Sequence, residues 1–393
     1  MLMTKILFIY ETEMPTVSIT RTVWINLSGH FDIQPKFIRL IETKNDDLDW
    51  CDVLILIRPN NALSWRIAKR VKASGRFVIT MCDDDLLHLP KTHPDLFWQR
   101  NGLKKALRFS SVILSSSQYL IDQMVGMTAD HRSARVDTIV YDSEIYERNY
   151  ESEDKQCVKI VYAAGGGQHE KMFEQYVLPA MIEVASEKPH SFSITFVSVH
   201  PDCGELEDYI LVNYVKGMPL LEYRKYMEDS EFDIGVSPLE DDDFTRCKYF
   251  NKYLEYTLSG ILGIYSNVEP YTYVVKDGYN GFLADNNNDS WKAKLDILLS
   301  DSQQRINCAR NAQKHVRDNF NEKAIMLQLL NEIPELQETG KKYRACKSFK
   351  LYRIEYKILR IIEYAYKTAF YMKNQGFGTV KAKITSRLAR AIK

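Results

Sequence analysis

Lys248, Lys252 and Glu255 stand at i, i+4 and i+7, the spacing of one helix face. Two ammonium groups beside one carboxylate can take a phosphate and a vicinal diol together. The ammonium groups neutralise phosphate oxygens, and the carboxylate accepts paired hydrogen bonds from neighbouring hydroxyls. The same pattern also describes a solvated helix face with a Lys–Glu pair worth about 0.3 kcal/mol. A second group lies upstream, where Gly165, Gly166 and Gly167 end an apolar run and His169 and Lys171 follow. Glycines let the chain turn sharply and let a ligand approach main-chain N–H groups, and a helix N-terminus favours an anion. The spacing departs from the G-x-G-x-x-G of dinucleotide sites. A phosphate site and a tight strand-to-helix loop both fit it.

Two aspartate runs, at 83–85 and 241–243, raise the question of a metal. Each follows an apolar run of strand length. The first suits an acceptor contact or the cap of a helix at Leu86. The second suits the solvated edge of a loop. Arg21, in the segment 16–21, is a further candidate for an acceptor or phosphate contact, with a plain surface arginine as the alternative.

These residues need elements to hold them. Apolar runs at 6–10, 53–57, 77–80 and 112–115 alternate with helix-like stretches at 64–73 and 103–109. Short strands without polar alternation, separated by helices, predict a parallel sheet covered on both faces. The charged segment 146–156 lacks apolar periodicity and reads as a linker. The pattern then restarts, with strands expected at 158–162, 193–197, 232–236 and 262–265, and helices at 171–185, 220–227 and 248–258. The predicted fold class is α/β: two Rossmann-like domains facing a central cleft, at 1–150 and 151–335, and a basic helical tail at 336–393. In such sheets ligands gather beyond the carboxyl ends of the strands. Both the glycine turn and Lys248, Lys252 and Glu255 would lie at that edge.

A length of 393 residues suits two domains. Lys+Arg and Asp+Glu are both 52, which gives no basis for a nucleic-acid partner. The balance is uneven, however, because residues 341–393 carry fifteen Lys and Arg against Glu355 and Glu363. Within that tail Leu351, Ile354, Ile358, Ile361 and Ile362 recur at helical spacing among the cations. Such a helix suits an anionic membrane surface, or packing on the oppositely charged body. Seven cysteines without a CxxC pair exclude a disulfide framework or a structural zinc site. No run reads as a secretory leader or approaches the roughly 18 apolar residues of a membrane span. The expectation is a reducing, cytoplasmic protein with no bound metal.

The segment Pro238-L-x4-F-T-x2-K-x3-K-Y-L-E-Y-x3-Gly260, then Tyr265-S-N-V-E-P-Y-x5-D-G-Y-N-G-F-L-Ala284 and Trp291, resembles the donor domain of family-4-like GT-B glycosyltransferases. The strand–G-G-G-x-H-E-K stretch looks like the first turn of the same domain. The likeness covers about 158–320, and 79–87 is similar to the D-D-D/x-L segment of bacterial polysaccharide glycosyltransferases. It implies transfer of a sugar from a nucleotide-sugar donor, which is a substrate and not a resident cofactor, to a glycan or lipid-linked acceptor. Retention of anomeric configuration, no required metal and a place at the inner membrane face are further implications. Glu255 looks like the second glutamate of the family's E-x7-E motif, which holds the ribose. The first would fall on Cys247, leaving Lys248 as the substitute contact to the donor. His169, Lys171 and Lys252 are candidates for the diphosphate, with Gly165, Gly166 and Gly167 bringing backbone to it. Asn280 and Gly281 match the D-G-x-N-G-x-L loop, which also reads as a plain turn. Two alternatives compete: a non-catalytic GT-B-like protein that binds a nucleotide or partner, and a sugar-nucleotide epimerase.

Overall fold

The computed structural model describes residues 3–88, 96–150, 157–165, 167–338, 340–346 and 352–391. The chain divides into two compact units, 1–136 with 326–393, and 137–325. Each is built on a six-stranded sheet in which every pairing is parallel.

The first sheet has the order β2-β1-β3-β4-β5-β6. Its strands are β1 (Thr4–Tyr10), β2 (Ile33–Arg39), β3 (Val53–Ile57), β4 (Phe77–Met81), β5 (Val112–Ser115) and β6 (Arg132–Arg135). The second has the order β12-β11-β10-β7-β8-β9. It comprises β7 (Val158–Ala163), β8 (Phe192–Val197), β9 (Leu211–Val215), β10 (Ile234–Ser237), β11 (Leu262–Ser266) and β12 (Phe282–Ala284). The α/β class expected from sequence is what forms. The central strands are apolar on both faces, and β3 is buried at every position. Burying each such side chain stabilises by roughly 1.5–3 kcal/mol.

Chain order reverses between β1 and β3 in the first sheet and between β7 and β10 in the second. Strands on either side of a reversal send their following loops apart, which opens a crevice at the carboxyl edge. The loops after these four strands therefore define one candidate ligand position in each unit.

Several local expectations are corrected. The helix expected over 171–185 begins at Gly167 and reaches Glu187, with a π turn at Phe173–Val177. Pro179 follows that turn and has no N–H to give to the α-helical ladder, which suits a local widening. The helix expected over 248–258 is two pieces, Asp243–Arg246 and Asn251–Leu258. The capping box of Asp242 and Thr245 starts the first piece. Phe250, with ψ 46 and its ring buried, interrupts the run before the second. The segment 146–150 is fastened to the second unit, whereas 151–156 lies outside the described residues. Tyr146 N–H donates to Leu258 O over 2.8 Å, and the buried Arg148 pairs with Asp233 at 2.6 Å.

The tail forms the helix Tyr352–Ala391, broken at Gly376, whose φ of 78° is left-handed. Residues 326–393 count with the first unit. The row that faces this unit is Tyr356, Arg360, Glu363 and Lys367, while Ile354, Ile358, Ile361 and Ile362 are exposed. Leu351 lies outside the described residues. Among the described residues, no helix is long and apolar enough to cross a membrane.

Candidate active site at the reversal between β7 and β10

β7 runs into the glycine turn. Gly165 is exposed, Gly166 lies outside the described residues, and Gly167 is the first residue of the helix Gly167–Met172. The buried Tyr162 at the end of β7 fixes this turn by donating its hydroxyl to His169 O over 2.8 Å. His169 is half-buried and Lys171 exposed.

β10 leads through Pro238 to the aspartate run and then to Lys248. Asp242 caps the short helix, accepting from Thr245 N–H over 2.7 Å, and Asp241 pairs with Arg246 at 2.8 Å. Asp242 is thus a cap, not only the solvated edge expected. Among the described residues, no three His, Cys, Asp or Glu side chains gather as metal ligands.

Lys248 sits in the bend between the two helical pieces, so it does not share a helix face with Lys252 and Glu255 as predicted. The tertiary structure nonetheless brings it to the same place. Burial holds the His169 imidazole below its ordinary pKa, and the charges of Lys248 and Lys252 push it the same way. Burial also lowers the Lys248 pKa, against an opposing pull from the Asp242 carboxylate. Three protonatable nitrogens from two segments about 80 residues apart in sequence, His169 and Lys252 on helices and Lys248 in the bend, thus share one electrostatic environment. An anion placed among them would relieve their mutual repulsion.

Glu255 is held from two sides. Lys252 Nζ donates to its Oε2, and the Tyr223 hydroxyl donates to the same oxygen over 3.0 Å. Lys252 also lies over the Tyr223 ring, 5.4 Å from its centroid. Burial and then the Glu255 charge drive the Tyr223 pKa upward, so the phenol stays protonated and a donor. Sequence reasoning missed Tyr223. It sits 32 residues from Glu255 in the helix Leu220–Asp229, and no local signal joins the two.

The helix carrying Lys252 and Glu255 is pressed onto the sheet by its tyrosines. Tyr256 donates to Val236 O over 2.9 Å, and its ring occupies the space a Cβ on Gly235 would fill, 2.5 Å away. Cys247 is 5% exposed and turns its thiol to Asp243 O at 3.0 Å. Asn280, 3% exposed, accepts from Lys276 N–H and donates to Val274 O and the Tyr253 hydroxyl. Those bonds make Asn280 the lock of a turn.

The candidates in the first unit are engaged with one another. Arg21 pairs with Glu13 at 2.8 Å, donates to the Tyr10 hydroxyl and lies over the rings of Tyr10 and Phe37. Asp83 accepts from Thr16, Asp84 pairs with Arg58 at 2.8 Å, and Asp85 accepts from the N–H groups of Leu87 and His88. Asp85 therefore caps a turn, and no helix starts at Leu86.

The fold matches solved structures across most of both chains. A glycosyltransferase from Rickettsia africae ESF-5 is 12% identical with a TM-score of 0.59, covering 86% of this chain and 100% of that one. Sucrose-phosphate synthase from Thermosynechococcus elongatus is 12% identical with a TM-score of 0.57, covering 85% and 99%. Anabaena Alr3699/HepE, solved in complex with UDP and glucose, is 13% identical with a TM-score of 0.54, covering 84% and 99%. The architecture is thus that of the GT-B glycosyltransferases. Within it, residues 252–315 match the family model of glycosyl transferases group 1, a match that opens on Lys252 and includes Glu255. No curated protein sequence matches the chain.

Proposed function

We propose that this protein is a glycosyltransferase that moves a sugar from a nucleotide-sugar donor to a glycan or lipid-linked acceptor, with the donor held at the reversal between β7 and β10. The observation that carries this is the meeting of His169 with Lys248 and Lys252, the last paired with Glu255 at the start of the segment that matches group 1 glycosyl transferases. As the bond from the anomeric carbon to the diphosphate breaks, its electrons pass to the leaving oxygen. Cationic groups already in place stabilise that charge without reorganisation. Lys248 and Lys252 take this role, His169 joins them as an imidazolium once the bound diphosphate has raised its pKa, and the glycine turn offers backbone N–H groups. Lys171 stands in the same turn. Glu255, fixed by Tyr223 and Lys252, holds the ribose diol. The similar Anabaena protein was solved with UDP and glucose, which makes UDP-sugars the first donors to test. The resemblance implies retention, a role in surface polysaccharide or glycoconjugate assembly, no metal requirement, and an inner-membrane-face location through the basic tail.

The test is hydrolysis of UDP-sugars with and without acceptor extracts, followed by NMR of the product anomer. Donor turnover lost in Lys248→Ala supports the proposal. Tight UDP binding with no turnover of any donor would favour a second function, a non-catalytic nucleotide-binding protein. One observation points that way: a buried thiol, Cys247, stands where the resemblance places a glutamate.

A further inference from the structure

A cavity of about 610 Å³ lies against the outward face of the helix Ala62–Ala73. Trp65, Arg66, Lys69 and Arg70 line it from the helix, and Arg344 and Glu355 from the tail. The helix is amphipathic: Leu63, Ile67, Ala68 and Val71 are buried, and the opposite row carries the cations. The cavity also reaches Ser74, in the connection from this helix to β4. It therefore lies toward the amino edge of the first sheet, away from the loops after β1 and β3.

Both walls are fixed in place. Trp65 stacks on Phe109 with ring centroids 6.3 Å apart, and Arg66 and Lys105 stand over Trp65 at 5.1 and 5.2 Å. Lys69 stands over Phe109 at 5.8 Å. Such contacts hold the cationic chains against aromatic faces. On the tail side, Arg344 N–H donates to Ser74 O over 3.1 Å, and Arg344 O accepts from the buried Arg76 over 2.8 Å. Cys346 N–H then donates to Asp49 Oδ1 over 2.7 Å. The backbone is thus clamped, and the Arg344 side chain stays exposed at the cavity.

The charges identify the ligand class. Among the described residues, four cations line the cavity and one carboxylate, Glu355, which pairs with Arg66. That leaves a surplus of three positive charges. Elsewhere in the first unit Lys72 pairs with Asp130, Arg58 with Asp84 and Arg132 with Glu335. Arg66 stands at i with Lys69 at i+3 and Arg70 at i+4, spacings at which like charges destabilise a helix. Burial holds the Arg70 pKa down, and the Arg66 charge adds to this. An anion relieves both costs, and guanidinium forks match phosphate oxygens. We propose that this cavity binds the phosphate group of a ligand other than the sugar donor, held by Lys69, Arg70 and Arg344, so that the anion bridges the helix Ala62–Ala73 and the tail. A soluble phosphomonoester and an anionic phospholipid head group both present that chemistry.

The test is phosphorus NMR titration of the full chain with glycerol phosphate, with and without UDP, beside flotation on phosphatidylcholine vesicles with and without phosphatidylglycerol. At least one of these phosphate sources is expected to bind the parent protein. Lys69→Gln with Arg70→Gln, and separately Arg344→Gln, should weaken that binding at least tenfold and leave UDP affinity and the melting curve of the free protein intact. Lys248→Ala, in the second unit, should leave it unchanged. Glycerol phosphate bound through these residues identifies a soluble ligand, and it should raise the melting temperature of the parent but not of the variants. Flotation that requires phosphatidylglycerol and is lost in the same variants, with glycerol phosphate unbound, identifies a lipid head group. The proposal is overturned if neither source binds, if the cavity variants bind as the parent does, or if Lys248→Ala alone abolishes binding.

Discussion

The two sheet reversals are built alike and charged differently. At the one between β7 and β10, Lys248 and Lys252 act on His169, Lys252 pairs with Glu255, and the Asp242 carboxylate acts on Lys248. At the one between β1 and β3, Glu11 and Glu363 balance Arg360 and Lys367, and Asp84 balances Arg58. The same topology offers a crevice in both cases. The charge placed in it decides whether that crevice suits a diphosphate. Partly buried ammonium groups beside an imidazole held neutral favour an anion that lets the imidazole take up a proton, whereas a network of closed ion pairs is satisfied before its ligand enters.

The largest expected break in this contrast is Lys248→Ala. Removing one preorganised donor from a developing anionic charge lowers turnover by about 100-fold or more, and steady-state donor turnover reads it. Phosphate binding beside the helix Ala62–Ala73 should not move. Gly235→Ala and Gly102→Ala come next and separate the two reversals structurally. The first drives a methyl group into the Tyr256 ring, the second into the Asn60 backbone. Overpacking of this kind costs about 1–3 kcal/mol, visible as a lowered melting temperature. Gly235→Ala should weaken UDP binding, and Gly102→Ala should leave it intact. If both variants impaired UDP binding equally, the two reversals would not be independent.

A smaller effect lies in pH. The His169 pKa is held down in the free protein, below its usual value of about 6.5. A bound diphosphate favours the imidazolium, so binding takes up a proton and affinity rises as pH falls through the neutral range. Calorimetry in buffers of different ionisation heat should show proton uptake that His169→Gln removes. Stability runs the other way. The contribution of a histidine with a lowered folded pKa is fully present above the unfolded value and is lost as pH falls through it toward the folded one. The smallest expected change is Ile358→Ser with Ile361→Ser. These exposed positions should alter stability by no more than about 0.5 kcal/mol, yet weaken flotation on anionic liposomes if the tail meets a membrane. Unchanged flotation would remove these isoleucines from that role.

The central strands were legible because they are apolar on both faces. The strands that sequence reading passed over are β2, β6, β9 and β12, and each is the edge of its sheet. An edge strand pairs on one side and is partly wetted, so most keep no long apolar run, and β12, though apolar, is only three residues long. β6 reads Arg-Ser-Ala-Arg, and β9 has no buried position. The residues at the β7–β10 reversal were legible as types, but a shared helix face, the reason expected for their convergence, does not hold for Lys248. A single helix was expected, and a bend at Phe250 replaced it. Glu11 and Tyr223 carried no signal, because their partners lie 349 and 32 residues away.

The sequence alone determined the alternation of buried strands and helices, the glycine turn, the cation-rich stretch after β10 and the basic tail. These are local properties, since apolar period, glycine freedom and charge run along the chain. The tertiary structure decided which cations meet His169, that Asp242 caps a helix, and that the tail turns its charged face inward toward Glu11. Those outcomes depend on pairs far apart in sequence whose distances are set by strand order and packing, and no local pattern encodes them.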